Sequence, residues 1–267
     1  MMKKMVDAWC YGQYDADYTL PHPGEGYHGW NKVSIPIDPA HTAIVVMHAW
    51  DCGTLEQNPY SYRLCEYIPR SIKIMEERYP DFLEKVRASG FNLIHIGSQT
   101  EASLEELPGY KRVKGKYGLG EPRPFFERTE DINELINIRL LNGHPGPAHP
   151  EDPKYTRDFA IMPQDDEDVA CTTHQLFELC KERDIHHLIY TGFAVNACLM
   201  ISPCGWVDMS RRGIMCSVIR DLTTAVENKE TCRHELNKEN GLWAYSIFAG
   251  GYIFDQEDVE KSLLTKD

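Results

Sequence analysis

Short runs of β-branched and apolar residues alternate with amphipathic stretches through most of this chain, and this alternation constrains the fold more than any other feature. Six runs are predicted to be strands: residues 42–48, 92–97, 159–162, 187–191, 214–219 and 242–247. Their nearly continuous hydrophobicity is typical of strands that are buried on both faces. Helices that alternate with such strands form the outer layers around a parallel sheet. We therefore predict a three-layer α/β/α domain with a mostly parallel six-stranded sheet.

Helix signals fill the stretches between the predicted strands. Apolar residues recur at spacings of three and four between residues 68 and 90, and Pro69 and Pro80 stand where prolines of a first helical turn belong. These signals predict two consecutive helices that end at Gly90. Further helices are predicted over residues 132–141, 172–183 and 196–212, with a kink in the last of them at residues 202–205.

Two segments interrupt the alternation. Residues 1–41 are rich in Gly, Pro, Tyr and Trp, and we predict an ordered N-terminal arm without regular structure, packed on the body or on a neighbouring subunit. Residues 42–267 are predicted to form the main domain, with an insertion at about residues 101–157. An insertion of this length is usually functional, for example as an active-site wall or lid.

Charge, hydrophobicity and cysteine usage argue against several classes of protein. The chain of 267 residues contains 28 Lys+Arg and 41 Asp+Glu, and its net charge of −13 opposes binding to nucleic acid. Its longest apolar runs are far shorter than the roughly 20 residues that cross a bilayer, and a signal-peptide core is not recognisable. The nine cysteines include no C-x-x-C pair and fit neither a disulfide framework nor a zinc ribbon. We expect a cytoplasmic protein that binds neither nucleic acid nor membranes.

The strongest local signal lies where a predicted strand ends. Ligands bind beyond the carboxyl ends of the strands in open parallel sheets, which directs attention to residues 48–51, 98–101, 163–168, 192–198 and 220–224. In residues 188–198, a strand and a glycine turn place Cys198 in the first turn of a helix. Backbone N–H groups at that position favour a thiolate and can hold an oxyanion. The alternative is a buried cysteine that packs the helix against the sheet.

Residues 42 to about 247 resemble the isochorismatase-like cysteine hydrolases, which include nicotinamidases and carbamoylsarcosine-type amidases. The resemblance rests on Thr191-Gly-Phe-Ala-Val-Asn-Ala-Cys198, where the family has Gly-x-Ala-Thr-x-x-Cys, and on the flanking segments 176–185 and 213–222. It implies that Cys198 is the nucleophile and that the backbone N–H groups of Ala194 and Cys198 bind the oxyanion. It also implies a cis peptide between Phe193 and Ala194, and a homo-oligomer.

Two other catalytic residues of the family differ here. His48 stands where the family has its catalytic Asp, and the position of the family Lys falls on Gln164 or Asp165 in a stretch without lysine. A Cys–His pair is chemically competent, because imidazole takes the thiol proton near neutral pH and the imidazolium then stabilises a thiolate. Asp165, or one of the neighbouring Asp166 and Asp168, would orient His48 as the third member of a triad. The alternative is that His48 forms part of the strand-end turn in a protein that has lost this chemistry.

Substrate contacts are predicted for Trp50, Phe193 and Asn196, although Trp50 could instead fill the space between two layers. No cofactor is predicted. If a divalent metal ion were present, His48 and Asp51 would be its ligands by residue type, with His144 and His149 as further candidates, but their spacing is not compact. Cys204 lies on a different helical face from Cys198, so a redox partner for Cys198 is not predicted.

The sequence therefore predicts a cofactor-independent cysteine hydrolase. It would cleave a C–N amide-type bond of a small molecule through a thioester on Cys198. The alternative is a catalytically altered or inactive protein of the same fold that binds a small molecule.

Overall fold

The computed structural model describes residues 3–122, 126–143 and 157–264. Its strands are β1 (Lys4–Gly12), β2 (Gly29–Ile37), β3 (Thr42–Met47), β4 (Trp50–Asp51), β5 (Asn92–Ile96), β6 (Asp158–Phe159), β7 (Asp168–Ala170), β8 (His187–Gly192), β9 (Met215–Thr223) and β10 (Ile253–Phe254). Within the described residues, eight strands form one sheet in the order β2-β1-β10-β9-β8-β3-β5-β7, and β4 pairs with β6 separately. The strands from β10 to β7 are mutually parallel. The predicted mostly parallel sheet is confirmed, with eight strands instead of six.

Helices cover both faces of this sheet. They are α1 (Pro59–Leu64), α2 (Ile68–Glu77), α3 (Tyr79–Ser89), α4 (Pro108–Tyr117), α5 (Glu130–Gly143), α6 (Thr173–Glu182), α7 (Cys198–Ile201), α8 (Trp206–Ser210), α9 (Leu236–Phe248) and α10 (Gln256–Ser262). Short 3-10 turns lie at Pro23–Gly26, Pro39–His41 and Leu104–Glu106. The two predicted helices before Gly90 are confirmed as α2 and α3, and Gly90 takes a left-handed φ of 77° at the end of α3. No helix in the described part of the chain combines the length and the apolar character needed to cross a membrane.

The central strand β3 separates two hydrophobic cores. Successive side chains of a strand point to opposite faces, so Val45 and Met47 pack with residues of α4, α6, α8 and α9. Ile44 and Val46 pack with residues of α2, α3 and α10 on the other face. All six residues of β3 are buried. This burial on both sides confirms the three-layer α/β/α arrangement.

The N-terminal segment differs from the prediction. The prediction of an irregular arm over residues 1–41 was wrong, because β1 and β2 pair along nine residues each as an antiparallel hairpin. Trp9 of β1 then pairs with Ile253 of β10, which joins the hairpin to the main sheet. The Gly- and Pro-rich residues that suggested irregular structure form the connection between the two strands.

Two of the predicted strands were also wrong. Residues 242–247 belong to helix α9, where Leu242 and Tyr245 are buried at a helical spacing of three. Residues 159–162 contribute no strand to the main sheet, because β6 ends at Phe159 and pairs with β4. The strand next to β5, at one of the two edges of the main sheet, is β7. It lies just after the predicted segment and is buried throughout.

The region predicted as an insertion contains different kinds of structure. Helix α4 packs Tyr110 and Val113 into the interior, so this part belongs to a helical layer of the domain. Helix α5 confirms the helix predicted at 132–141 and has mostly exposed side chains. Residues 144–156 lie outside the described residues.

The helix predicted from 196 to 212 is divided in two. Helix α7 ends at Ile201, and α8 begins at Trp206. The break contains Pro203 and Cys204, and Cys204 takes a left-handed φ of 70°. The disruption predicted at residues 202–205 is therefore confirmed as a complete interruption of the helix.

Candidate active site

Three neighbouring parallel strands bring the candidate residues to one edge of the sheet. Met47 at the end of β3 pairs with Gly192 of β8 on one side and with Ile96 of β5 on the other. His48 follows β3, and residues 97–101 follow β5. Residues 193–198 follow β8. The carboxyl ends of these strands therefore form the floor of the candidate site, as expected for an open parallel sheet.

The turn that carries Cys198 depends on a close approach of two strands. Gly192 has a φ of 116°, and a Cβ atom at this position would lie 1.9 Å from the carbonyl oxygen of Met47. Glycine is therefore required for the chain to leave β8 in this direction. The peptide between Phe193 and Ala194 is cis, which confirms the prediction. Cys198 is the first residue of α7 and is partly exposed.

Two backbone N–H groups near the thiol remain without an acceptor. The N–H groups of Val195 and Leu199 donate to the carbonyl oxygens of Thr224 (2.8 Å) and Ala194 (3.1 Å). Those of Ala194 and Cys198 have no acceptor within residues 3–122, 126–143 and 157–264. Because α7 has only four residues, these local N–H groups matter more here than the dipole of a long helix. They can hydrogen-bond to an oxygen that becomes negatively charged.

His48 occupies a buried and unusual position. Its φ is 53°, which is left-handed for a residue other than glycine, and its N–H donates to the carbonyl oxygen of Ile96 at 3.1 Å. The imidazole is 7% exposed and stacks on the Trp50 indole, with ring centres 4.3 Å apart and planes 16° apart. Its Nδ1 atom has no hydrogen-bond partner in the described part of the chain.

Burial makes the neutral imidazole the stable form. It lowers the pKa of His48 to about 4, with a further contribution from the positive charge of Arg157. The prediction that a His48 imidazolium stabilises a resting thiolate therefore requires correction. At neutral pH, His48 is instead a neutral acceptor that can take up a proton during a reaction.

Trp50 connects His48 to two residues that sequence reasoning did not assign to the site. The indole N–H donates to the carboxylate of Glu101, and the guanidinium carbon of Arg157 lies 4.6 Å from the indole centre. Trp50 belongs to β4 and pairs there with Phe159 of β6. Glu101 is 5% exposed, and burial raises its pKa to about 7. The guanidinium of Arg157 provides a positive charge beside Trp50. Residues 162–168, where the family Lys was expected, contain no lysine.

Cys198 lines two cavities. The larger has a volume of about 780 Å³ and the smaller about 190 Å³, and both are lined by His48, Trp50 and Cys198. The larger cavity is also bounded by residues 119–122 and 171–174. The smaller one adds Arg157 and Phe193. Of the predicted site residues, the structure therefore brings Cys198, His48, Trp50 and Phe193 together.

Two thiols share the smaller cavity with Cys198. Cys52 and Cys65 both line it, together with Tyr67. Burial raises the pKa of each of these two thiols. Sequence spacing offered no neighbouring thiol for Cys198, because the loop and helix α1 that position Cys52 and Cys65 are distant from it in sequence. All nine cysteines are free.

Two predicted site residues lie elsewhere. Asp165 is exposed and precedes β7, at the amino end of the parallel strands, whereas His48 lies at their carboxyl end, and the Asp165 carbonyl oxygen accepts a hydrogen bond from Arg112 at 3.1 Å. Asp168 is buried and pairs with Arg112 and Arg183. None of these residues lines either cavity, so the structure does not place Asp165 where it could orient His48. The prediction failed because the sequence alone assigned the wrong strand to this part of the sheet.

Asn196 lines neither of the two cavities. Its side-chain amide donates to the carbonyl oxygen of Val226 at 3.0 Å, and its carbonyl accepts the Val226 N–H at 2.9 Å. Both polar ends of Asn196 thus fix the loop after β9. This arrangement gives Asn196 a structural role in the turn and not the predicted contact with substrate.

Of the candidate metal ligands, His48 and Asp51 do not converge on a shared site within the described residues. Asp51 is exposed, and its carboxylate accepts the N–H of Gly53 at 2.7 Å. His48 and Asp51 do not belong to any group of three potential ligands that could share an ion within the described residues. His144 and His149 lie outside those residues. The residues described around Cys198 thus include no group of three such potential ligands.

No family model matches the sequence, and no curated protein matches it either. Solved structures that are similar to this chain include a cysteine hydrolase from Pseudomonas syringae pv. phaseolicola 1448A (14% identity, 85% of this chain and 94% of that chain, TM-score 0.49). An isochorismatase-like hydrolase from Alkaliphilus metalliredigens is 17% identical over 82% of this chain and 97% of its own, with a TM-score of 0.47. N-carbamoylsarcosine amidase from Thermoplasma acidophilum is 13% identical over 82% and 98%, with a TM-score of 0.42. The resemblance predicted from the sequence is thus confirmed as a likeness of fold to solved structures of a cysteine hydrolase, an isochorismatase-like hydrolase and an N-carbamoylsarcosine amidase.

Proposed function

We propose that this protein is a cofactor-independent cysteine hydrolase that cleaves a C–N amide-type bond of a small molecule. One observation carries the proposal: the partly exposed Cys198 lines a cavity, while its own N–H and that of Ala194 have no acceptor among the described residues. A nucleophile beside free N–H donors is the minimum that acyl transfer requires. A cavity of about 780 Å³ matches the size of sites that bind small molecules.

Acylation begins when the Cys198 sulfur attacks the substrate carbonyl carbon. The thiol proton passes to the neutral imidazole of His48, and the carbonyl oxygen gains negative charge and accepts hydrogen bonds from Ala194 and Cys198. His48 then donates the proton to the departing nitrogen. The C–N bond breaks, the amine or ammonia leaves, and the acyl group remains on Cys198 as a thioester.

Water completes the cycle. His48 removes a proton from the attacking water, the thioester C–S bond breaks, and the thiol of Cys198 is restored with a proton from His48. One amide and one water are consumed, and one acid and one amine are released. The low pKa of His48, about 4, makes it a weak base. Negative charge on the nearby intermediate therefore has to stabilise its protonated form.

A second function has specific support. The same low pKa of His48, and an Nδ1 atom without a hydrogen-bond partner among the described residues, fit a protein that binds a small molecule without turnover. In that case the two cavities lined by His48, Trp50 and Cys198 would hold the ligand, with the positive charge of Arg157 at the smaller one. The two functions differ in whether an acyl group ever resides on Cys198.

Trapping of the acyl-enzyme distinguishes these functions. The full-length chain is mixed with 4-nitrophenyl acetate, quenched in acid and mapped by peptide mass spectrometry. We expect an acetyl group on Cys198 within the first turnover, and loss of that label in Cys198→Ser. The matched control is Cys65→Ser, since Cys65 lines the same smaller cavity. Equal labelling of the wild type and Cys198→Ser, or labelling of Cys65 instead, would contradict the hydrolase proposal.

Screening of amides then tests the bond type. A panel of small primary and N-substituted amides is assayed for release of ammonia or amine. Hydrolysis of at least one amide by the wild type, but not by Cys198→Ser, is the expected result. An enzyme that is acetylated by the ester and hydrolyses no amide in the panel would contradict the assignment to C–N bonds.

The proposal also covers the assembly and location of the protein. A homo-oligomer is supported by exposed aliphatic side chains on α5, where Ile132, Leu135 and Ile138 are 45%, 61% and 50% exposed. Light scattering during size-exclusion chromatography measures the assembly, and a monomer at micromolar concentration would contradict it. A cytoplasmic location, and catalysis without a cofactor, stay predictions from the sequence.

A further inference from the structure

A cluster of two histidines and an aspartate lies at the opposite end of the sheet from Cys198. Thr42 of β3 pairs with His187 of β8, so His41 and His186, which directly precede these residues, are brought side by side. The His186 N–H donates to the carbonyl oxygen of His41 at 2.9 Å and locks the two positions together. The register of the parallel sheet therefore determines where both imidazoles start.

Asp184 joins this pair from the turn after α6. Its φ of 54° is left-handed, and its N–H donates to Lys181, so the backbone reverses between the helix and β8. The carboxylate lies between the two rings: Oδ2 is 3.2 Å from Nδ1 of His41, and Oδ1 is 2.7 Å from Nε2 of His186. The carbonyl oxygen of Asp184 is a further 2.7 Å contact of His41 Nδ1.

These distances suit a shared cation. One nitrogen from each imidazole and one carboxylate oxygen all lie within 4.8 Å of one another. An ion bound at about 2.0 to 2.2 Å from each ligand brings pairs of ligands to within about 3 to 4 Å, so small side-chain rotations are sufficient. Asp184 and His186 are exposed and His41 is half-buried, which leaves room for water to complete the coordination.

We propose that His41, Asp184 and His186 form a binding site for a divalent transition-metal ion of the class that imidazole favours, such as Zn²⁺ or Ni²⁺. Two imidazole nitrogens and a carboxylate oxygen are typical ligands of such ions. The ion replaces the protons that now join the rings to the Asp184 carboxylate. With two side chains before adjacent strands and one at a helix end, the ion ties β3, β8 and the α6 turn together.

This site is separate from the candidate active site. Strand β3 has six residues, and at roughly 3.3 Å per residue its two ends are about 20 Å apart. His41 stands before one end and His48 after the other. Binding of the ion therefore requires none of the chemistry proposed for Cys198, and the two proposals can fail independently.

Calorimetric titration tests the site. Untagged full-length protein is titrated with Ni²⁺, and the same titration is repeated on His41→Ala/His186→Ala and on Asp184→Asn. We expect the wild type to bind one more Ni²⁺ than the double variant. We expect Asp184→Asn to bind it at least about 10-fold more weakly, the lower end of what loss of even an outer-shell partner costs. Thermal unfolding without metal shows whether each variant is folded.

The matched control is His28→Ala. His28 is also an exposed histidine beside a carboxylate, with Nε2 3.1 Å from Asp15, but it lies outside the cluster. This variant, like Cys198→Ala, is expected to bind Ni²⁺ as the wild type does. Identical stoichiometry and affinity in the wild type and the folded double variant would overturn the site, as would a wild type that binds no Ni²⁺.

Discussion

The two ends of the β3–β8 strand pair place histidines in opposite surroundings. At the carboxyl end, His48 is 7% exposed, and its Nδ1 has no hydrogen-bond partner among the described residues. At the amino end, His41 and His186 both contact the carboxylate of Asp184 near the surface. The same two strands therefore carry a buried imidazole at one end and two solvated, carboxylate-bound imidazoles at the other.

This difference shows how the surroundings determine what a histidine can do. Burial penalises the charged form of His48, which leaves a neutral ring that lines the same two cavities as Cys198. The Asp184 carboxylate beside His41 and His186 instead offers a further ligand for a metal ion. Residue type alone does not separate these roles. Single substitutions test whether the surroundings of His48 have the effects expected of a buried site.

The largest effect is expected at Cys198. Cys198→Ala removes the nucleophile, and we expect amide hydrolysis to fall by at least about 1,000-fold. Because Cys198 is partly exposed, the free energy of unfolding should change little. Steady-state kinetics and chemical denaturation measure the two quantities. Cys65→Ala removes a thiol from the same smaller cavity, and an equal loss of activity in this control would show that the cavity matters and not the nucleophile.

His48 is expected to have the next largest effect. His48→Asn removes the proton acceptor, and we expect kcat to fall roughly 100-fold or more, as for other general bases. In the wild type, the base is neutral above its pKa of about 4. kcat/KM should therefore stay level from pH 8 to pH 5 and decline as the pH falls further. A decline centred near 6.5, the value of an ordinary histidine, would contradict the buried environment of His48.

Glu101 should produce a smaller effect, on stability. Burial raises its pKa to about 7 in the folded protein from an ordinary value of 4.5. The neutral carboxyl is therefore favoured by folding, and this contribution is lost as the pH rises from about 4.5 through 7. A difference of about 2.5 pKa units corresponds to about 3 kcal/mol. Glu101→Gln keeps an oxygen for the Trp50 indole N–H and cannot ionise.

Urea denaturation at two pH values measures this contribution. We expect Glu101→Gln to be more stable than the wild type by up to about 3 kcal/mol at pH 8 and nearly equal to it at pH 4. Glu105→Gln serves as the control, because Glu105 is exposed and pairs with Lys114 on the surface. A variant that is destabilised equally at both pH values would mean that Glu101 is bound as a carboxylate.

The parts of the fold that were predictable have strong local patterns. β3, β5 and β8 are mostly apolar and almost wholly buried, and α2 and α3 carry apolar residues at helical spacing. Helix α9 was mistaken for a strand because an apolar run of six residues does not distinguish the two structures. β10 was missed for another reason. It has only two residues, and its partners β9 and β1 lie far from it in sequence, so no local pattern encodes the pairing.

In the candidate site too, features with a local sequence pattern were predictable, and contacts between distant segments were not. The turn that holds Cys198 was predictable, because a strand, a glycine and a cysteine at fixed spacing form it within one segment. Glu101 was within a segment singled out as a strand end, but its burial depends on the indole of Trp50. Arg157 reaches the site because β6 pairs with β4. Contacts between distant segments therefore supply the residues that surround the nucleophile.

Asp165 provides the last test of the comparison, and its expected effect is the smallest. If it oriented His48, Asp165→Asn would lower kcat substantially, as loss of the third member of a triad does. The structure instead places Asp165 before β7, where its backbone carbonyl, and not its carboxylate, accepts the bond from Arg112. Asparagine keeps that carbonyl. We therefore expect kcat/KM and its pH profile to stay within about twofold of the wild type, the range of ordinary surface substitutions. A large loss of kcat/KM would mean that residues 163–168, at the amino end of the sheet, influence the site at its carboxyl end. The two ends would then not be independent.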